Sequence, residues 1–466
     1  MKKYLLFIYF VFVKILISSS YLLLEEINFN KSAEFYTVIK NQNVEKFNIE
    51  LLSILKENTL GNMIFFKILD PRIILAGGIG EGMSGSPVYQ DGKFIGAIAY
   101  GLKENSNYGL IMPSNYFDFQ KINFTPNIYT GRSIIVTPVD GDVSFDMLGT
   151  LTVSDKENIY VLGHNIENKG EITYFLKNAS VDAIIPTNTL SFKLGTKLDN
   201  LGVIFSDNKY GLIGKQTSNV EVHSYNFYYK ENGIIKKSYF KIPKNKKTKE
   251  LYLEKSIVNI LENLTLHNGY KSAKYKFSIY DKNNKILFSD RDFIVSNDNI
   301  KISLANTIFN KIMHVTENKY QSLPFEKIDF DIELFENESI IYIDSIDILG
   351  NVFILGDKLK ITFDSYIHQV GHKKIIEEIE IPKNFALGSM TLEVLMEASE
   401  NEKKVENLTD FLVETSDKKK NNEIIVRFKD KFNTIIYSKK IVWDYYIISE
   451  ENFTKNIVID SFEASN

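Results

Sequence analysis

A mainly β chain of barrels or sandwiches is what this sequence predicts, and three observations predict it. The chain carries 33 Phe and 26 Tyr in 466 residues, with many Ile and Val, and aromatic and β-branched side chains suit pleated surfaces. Its apolar runs are short and punctuated by glycine turns: "FYTVI", "KFNIELLSIL", "NMIFFKIL", "KFIGAIAYGL", "SIIVTPV", "GTLTV" and "NIYVLGH" between Glu34 and Lys215. Strands spaced this way favour closed or sandwiched antiparallel sheets over alternating strand–helix units. Only two stretches show helical spacing, "ELYLEKSIVNILENL" and "SLANTIFNKIMHV", the second with Ser303 as its expected N-cap.

Composition narrows the function classes. Hydrophobic residues make up 44% and charged residues 24%, an ordinary globular balance with enough length for roughly three domains. A net charge of −4 lacks the basic bias that a nucleic-acid partner requires. With no cysteine, disulfides, thiolate metal sites and a cysteine nucleophile are excluded.

Along the chain, "MKKYLLFIYFVFVKILISSS" has the plan of an export signal, with a basic start, an apolar run and a small polar exit. Residues 1–24 are therefore expected to be a signal peptide or N-terminal anchor. The protein is then exported to the periplasm, cell envelope or medium, with membrane association through that segment. Residues 25–215 form the first β domain. "KNKKTKE", Lys244 to Glu250, reads as a solvated linker. Residues 216–345 are expected to be an α+β segment with the two helices. Residues 346–466 alternate ("KLKITFDSYIH", "MTLEVLMEA", "EIIVRFKD") as in an immunoglobulin-like sandwich.

The chemistry-bearing stretch is "GGIGEGMSGSPVYQDGKFIGAIAYGL", Gly77 to Leu102. Acyl transfer needs an exposed serine on a tight turn, with backbone N–H groups aimed at the developing oxyanion. Gly82-Met83-Ser84-Gly85-Ser86-Pro87 has that form, with Ser84 as nucleophile and the N–H groups of Gly82 and Ser84 as the oxyanion hole. Pro87 opens a strand, and Asp91-Gly92 is a hairpin turn. Of six histidines, only His164, in "YVLGHNI", sits in a motif-like context. His223, His267, His314, His368 and His372 read as structural or surface residues, and no metal or organic cofactor is implied.

These residues are familiar as a set. The blocks Thr37–Glu50, Asp70–Pro113 and Gly149–Ile166 resemble the SpoIVB family of serine peptidases, over roughly residues 34 to 215. The resemblance implies a chymotrypsin-like double β-barrel that hydrolyses protein or peptide substrates through an acyl-enzyme. It implies a triad of Ser84, His164 and Asp70. Tyr108, Gly109 and Leu110 would pair with an extended substrate at a sheet edge. Asp142 and Asp146 are alternative acids. Two departures stand out: the family's sporulation peptidase runs His, Asp, Ser, whereas this chain runs Asp, Ser, His, and no PDZ-like segment precedes the serine block. Met83 stands where trypsin-like enzymes carry an aspartate used in activation, so that route is absent. A silent envelope scaffold on a peptidase fold, or a protein that cuts only itself near Lys244–Glu250, are the competing readings.

Overall fold

The computed structural model describes residues 21–57, 61–117, 130–154, 158–231, 234–266, 268–337, 339–396, 406–449 and 452–460. His267 and most of the expected export segment lie outside them. Residues 21–24 of that segment belong to the folded chain: the Leu22 N–H donates to the Phe94 carbonyl, and Leu22 and Leu24 pack on a barrel core.

The chain divides into two compact units, residues 1–138 with 145–220, and residues 139–144 with 221–466. The first unit begins with β1 (Ser32–Val38), β2 (Val44–Glu57), β3 (Gly61–Ile68), the short helix α1 (Pro71–Leu75), β4 (Pro87–Gln90), β5 (Lys93–Gly101) and β6 (Tyr108–Pro113). These strands close into a barrel in the order β1-β2-β3-β6-β5-β4. Phe35, Phe47, Ile64, Phe66, Val88, Ile98 and Ile111 fill it, alternating with outward residues as the two-residue strand period demands. At the β4–β5 turn both Asp91 (φ 50°) and Gly92 (φ 76°) take positive φ, which is why that dipeptide makes the hairpin.

Next come β7 (Ser133–Thr137), β8 (Asp140–Gly141), β9 (Met147–Ser154), β10 (Asn158–Val161), β11 (Gly170–Ile185), β12 (Phe192–Asn208) and β13 (Gly211–Gln216). All but β8 form a second closed barrel, β10-β13-β12-β11-β7-β9. Closing both sheets removes their edges and leaves the loops between strands to carry function.

The second unit holds β14 (Val222–Glu231), β15 (Ile234–Pro243), α2 (Lys246–Leu264), β16 (Ser272–Tyr280), β17 (Ile286–Val295), α3 (Ile300–Thr316) and β18 (Lys327–Phe335). These strands and β8 form one sheet, β17-β16-β18-β14-β15-β8. Two expectations are corrected here. The lysine-rich stretch is no linker: Asn245 caps α2 by accepting from the Thr248 N–H, and Lys249 is buried against Glu317 on α3's C-terminal side. Helix α3 is capped by Asn299 rather than Ser303, because the Asn299 carboxamide accepts from the amides of Lys301 and Ile302.

The chain ends with β19 (Ile340–Ile348), β20 (Val352–Ile354), β21 (Lys358–Ile367), β22 (Gly371–Glu380), β23 (Gly388–Leu395), α4 (Leu408–Asp417), β24 (Glu423–Lys429), β25 (Ile435–Val442), β26 (Tyr446–Ile448) and β27 (Phe453–Asp460). Two sheets, β22-β21-β19-β26 and β20-β27-β23-β24-β25, share one apolar core that includes Ile361, Phe363, Leu392, Val426 and Trp443. The pairs β19/β26 and β20/β27 are parallel, which departs from the antiparallel pairing expected of an immunoglobulin-like sandwich.

His223 gives this unit an acid sensitivity. Its ring stacks on Phe325 at 3.8 Å, and burial, with Lys249 and Lys244 nearby, holds its pKa down to about 3. An unfolded histidine titrates near 6.5, so between about 6.5 and 3 the unfolded chain binds a proton that the folded unit refuses. Stability is therefore full above pH 6.5 and falls on acidification, by up to about 5 kcal/mol. His223→Phe is expected to keep the stack and to flatten that slope in urea titrations run from pH 7 to pH 4. An unchanged slope would discard the assignment.

Candidate active site

The serine turn is shaped by where its neighbours must go. Met83 is fully buried in the core of the first barrel, so the turn is pinned from inside and the next residue, Ser84, faces outward. Gly82 (φ 90°) and Gly85 (φ 91°) take the left-handed backbone that this path requires. The second barrel meets the turn at β9. There the Thr150 N–H donates to the Ser84 carbonyl at 2.8 Å, and the Thr150 hydroxyl donates to the Gly82 carbonyl at 3.0 Å. The buried Ser86 hydroxyl donates to the Met83 carbonyl at 2.6 Å.

The closeness of this contact makes Gly85 indispensable. A Cβ there would sit 2.2 Å from the Thr150 carbonyl oxygen and 2.7 Å from the Leu162 amide. Gly85→Ala is thus expected to destabilise the first unit by about 3 kcal/mol, from left-handed strain and overpacking together. Thermal unfolding checks it, and an unchanged midpoint would show that the turn yields easily.

The histidine loop follows β10. Leu162 takes φ 60°, a conformation that costs a residue with a Cβ about 1 kcal/mol. The Gly163 N–H that follows donates to Ser84 Oγ at 3.3 Å. His164 Nδ1 lies 2.8 Å from the carbonyl oxygen of Asn165, and its ring stacks on Tyr100 with centroids 5.2 Å apart. A carbonyl can only accept, so that contact makes Nδ1 the protonated nitrogen and leaves Nε2 with the free lone pair. The loop is held from below by Asp207, fully buried at the end of β12, whose carboxylate accepts the amides of Ile166 (3.0 Å) and Glu167 (2.7 Å). Asp207 is a residue that sequence reasoning missed: it stands in "FSDNKY", which carries no motif.

Ser84, Gly82 and His164 line one cleft of about 680 Å³, together with Asp146, Lys193 and an apolar wall that includes Leu148, Leu162 and Phe192. No hydrogen bond joins Ser84 to His164 among the described residues. Asp70 is not brought to this cleft. It caps α1, and both its oxygens are held by Arg72, through the Arg72 N–H, Nε and Nη2 at 2.9–3.0 Å. The guanidinium keeps its pKa below the usual carboxylate value. Of the alternative acids, Asp146 lines the cleft and pairs with Lys197 at 3.1 Å. Asp142 belongs to the second unit, where it accepts from the Ser238 hydroxyl and the Tyr239 N–H.

The substrate edge expected at Tyr108, Gly109 and Leu110 is corrected. Strand β6 sits inside the closed barrel, paired with β3 on one side (Phe65↔Leu110, Phe66↔Gly109, Lys67↔Tyr108) and with β5 on the other (Tyr100↔Leu110, Gly101↔Gly109). Both edges of that strand are occupied, and strand addition needs one free.

Lys193 is the other residue not foreseen. It is buried, its stem lies against Gly82, and its ammonium donates to the hydroxyls of Thr37 (2.8 Å) and Ser133 (3.4 Å) rather than to a carboxylate. Burial pulls its pKa down to about 7. Nothing in "SFKLGT" marks it in the sequence, because its isolation is a property of the packing.

Residues 21–114 match the family model of the SpoIVB peptidase S55. The match contains Ser84 and ends before His164. No curated protein and no solved structure matches the chain. The serine turn and the whole first barrel lie inside the matched segment, so this part of the chain is similar to the SpoIVB peptidase family.

Proposed function

We propose that this protein is an exported serine endopeptidase that works through an acyl-enzyme formed on Ser84. The observation that carries the reading is the meeting of Ser84 and His164 on one cleft, supplied by loops of two different barrels. His164 Nε2 takes the proton of Ser84 as Oγ attacks the scissile carbonyl, then gives it to the leaving amine. For this the hydroxyl turns from the Gly163 amide to the imidazole. The Asn165 carbonyl supplies the orienting acceptor at Nδ1, the task first expected of Asp70. The N–H groups of Gly82 and Ser84 receive the oxyanion. The apolar wall of the cleft suits peptide substrates with bulky apolar side chains. Export rests on the basic, then apolar, N-terminal sequence. Among the described residues no helix is long and apolar enough to cross a membrane.

A silent scaffold is the second reading, favoured by the lack of a Ser84–His164 hydrogen bond and of a carboxylate at His164 Nδ1 among the described residues. Self-cleavage at Lys244–Glu250 loses its basis, since Lys246 onward is helical and helices resist proteolysis. Labelling of the purified protein with a fluorophosphonate probe separates enzyme from scaffold. Labelling that requires both Ser84 and His164 supports the peptidase; an unlabelled wild-type protein supports the scaffold.

A further inference from the structure

We propose that Thr150, on the second barrel, is a positioning residue that sets the oxyanion turn. The inference rests on the peptidase reading above. Each of the three carbonyls between Gly82 and Ser84 is taken by a buried hydroxyl or amide. Gly82 O accepts from Thr150 Oγ1 at 3.0 Å, Met83 O from Ser86 Oγ at 2.6 Å, and Ser84 O from the Thr150 N–H at 2.8 Å. Thr150 and Ser86 are fully buried, and their hydroxyls lie 3.5 Å apart. The Met83 N–H is used internally, donating to the Gly80 carbonyl at 3.1 Å. The N–H groups of Gly82 and Ser84 have no acceptor among the described residues.

A peptide plane carries its N–H and C=O on opposite edges. The Gly82 and Ser84 carbonyls that Thr150 holds belong to the two planes flanking the one that carries the Ser84 N–H, whose own carbonyl, that of Met83, is held by Ser86 Oγ, so Thr150 brackets that donor from both sides. The two unclaimed amides are the donors that the reaction needs. Thr150 holds this turn from the barrel that also supplies His164, so docking of the barrels and assembly of the oxyanion hole are one event. A turn held this way is formed before substrate arrives, and pre-formed donors need no reorganisation during the reaction.

The test uses the full-length protein with Thr150→Val, which keeps the branched shape and removes the hydroxyl, and Thr150→Ser, which keeps the hydroxyl. Each is measured for kcat and KM on a peptide or ester substrate, for the rate of fluorophosphonate labelling, and for its unfolding midpoint. Thr150→Val is expected to lower kcat and the labelling rate roughly ten- to a hundred-fold with little change in KM, as misplacing a donor does. Thr150→Ser should rescue most of that loss. Should Thr150→Val fail to fold, Ser86→Ala loosens the same turn at the Met83 carbonyl and should lower kcat in the same direction. A folded Thr150→Val protein with wild-type kcat overturns the inference and leaves the peptidase reading standing. A wild-type protein that neither labels nor cleaves overturns both.

Discussion

Replacing Ser84 by alanine is expected to abolish peptidase activity, by roughly four to six orders of magnitude in kcat, while the protein stays folded. The stability side follows from the contacts. Among the described residues the Ser84 side chain makes one hydrogen bond, accepted from Gly163 N–H at 3.3 Å, whereas the turn itself is held by Met83 in the barrel core and by Thr150 on its carbonyls. Loss of the hydroxyl therefore leaves the architecture alone. The chemical side follows from the proposed reaction, since among the described residues lining the cleft no other serine or threonine hydroxyl stands in for the oxygen that would become the ester. His164→Ala should cost nearly as much, and the double variant little more than either, because nucleophile and base act as one unit. Cleavage of a peptide substrate, followed in the three variants with circular dichroism as the folding control, checks this. Retained turnover in Ser84→Ala would remove Ser84 from the reaction.

The second large effect is on stability, and it has the opposite sign. Lys193→Met is expected to stabilise the first unit by about 1–3 kcal/mol at pH 7. Among the described residues its buried ammonium meets two hydroxyls and no carboxylate, and a buried cation without a counter-charge is costly. The gain is reduced by the Thr37 and Ser133 hydroxyls, which lose a partner. The pH dependence identifies the cause. The folded pKa is about 7, while an unfolded lysine titrates near 10.4. Between those values the unfolded chain holds a proton that the folded chain has released, so wild-type stability rises with pH. From pH 7 to pH 9.5 that rise amounts to about 3 kcal/mol, and it should vanish in Lys193→Met. Urea titrations of both proteins at the two pH values decide it. A destabilised variant with an unchanged pH slope would mean that the ammonium is better solvated than its packing indicates. Its stem lies against Gly82, in the serine turn, so a more stable variant with lower activity is the expected exchange if that turn serves the proposed reaction.

The serine turn and the histidine motif were legible in the sequence because both are local. A left-handed path with an exposed side chain needs glycine beside serine, and the strand pattern around them alternates with a period of two. For the same reason the hairpin at Asp91-Gly92 and both of the helices expected there could be read, apart from their caps: Asn245 and Asn299 begin helices five and four residues before the helical pattern starts.

What surrounds the two residues was not legible, because it is made by contact between segments far apart in the chain. Asp70 had the sequence context of a triad acid, yet Arg72, two residues on, is a nearer and stronger partner than a histidine on the other barrel. The barrel's closure consumed both edges of Tyr108–Leu110, which no inspection of that strand alone could reveal. Thr150, Asp207 and Lys193 are ordinary residues in their own stretches. By itself the sequence determined a β-rich chain with a glycine-flanked serine turn and one histidine in a motif-like context, since turn geometry and strand period depend on neighbours a few residues away. Only the tertiary structure decided that Thr150 braces the turn, that Asp207 holds the histidine loop and that Lys193 is buried on two hydroxyls with no carboxylate beside it among the described residues. Hydrogen bonding and desolvation depend on what packs across the gap between two barrels, and chain order does not encode that distance.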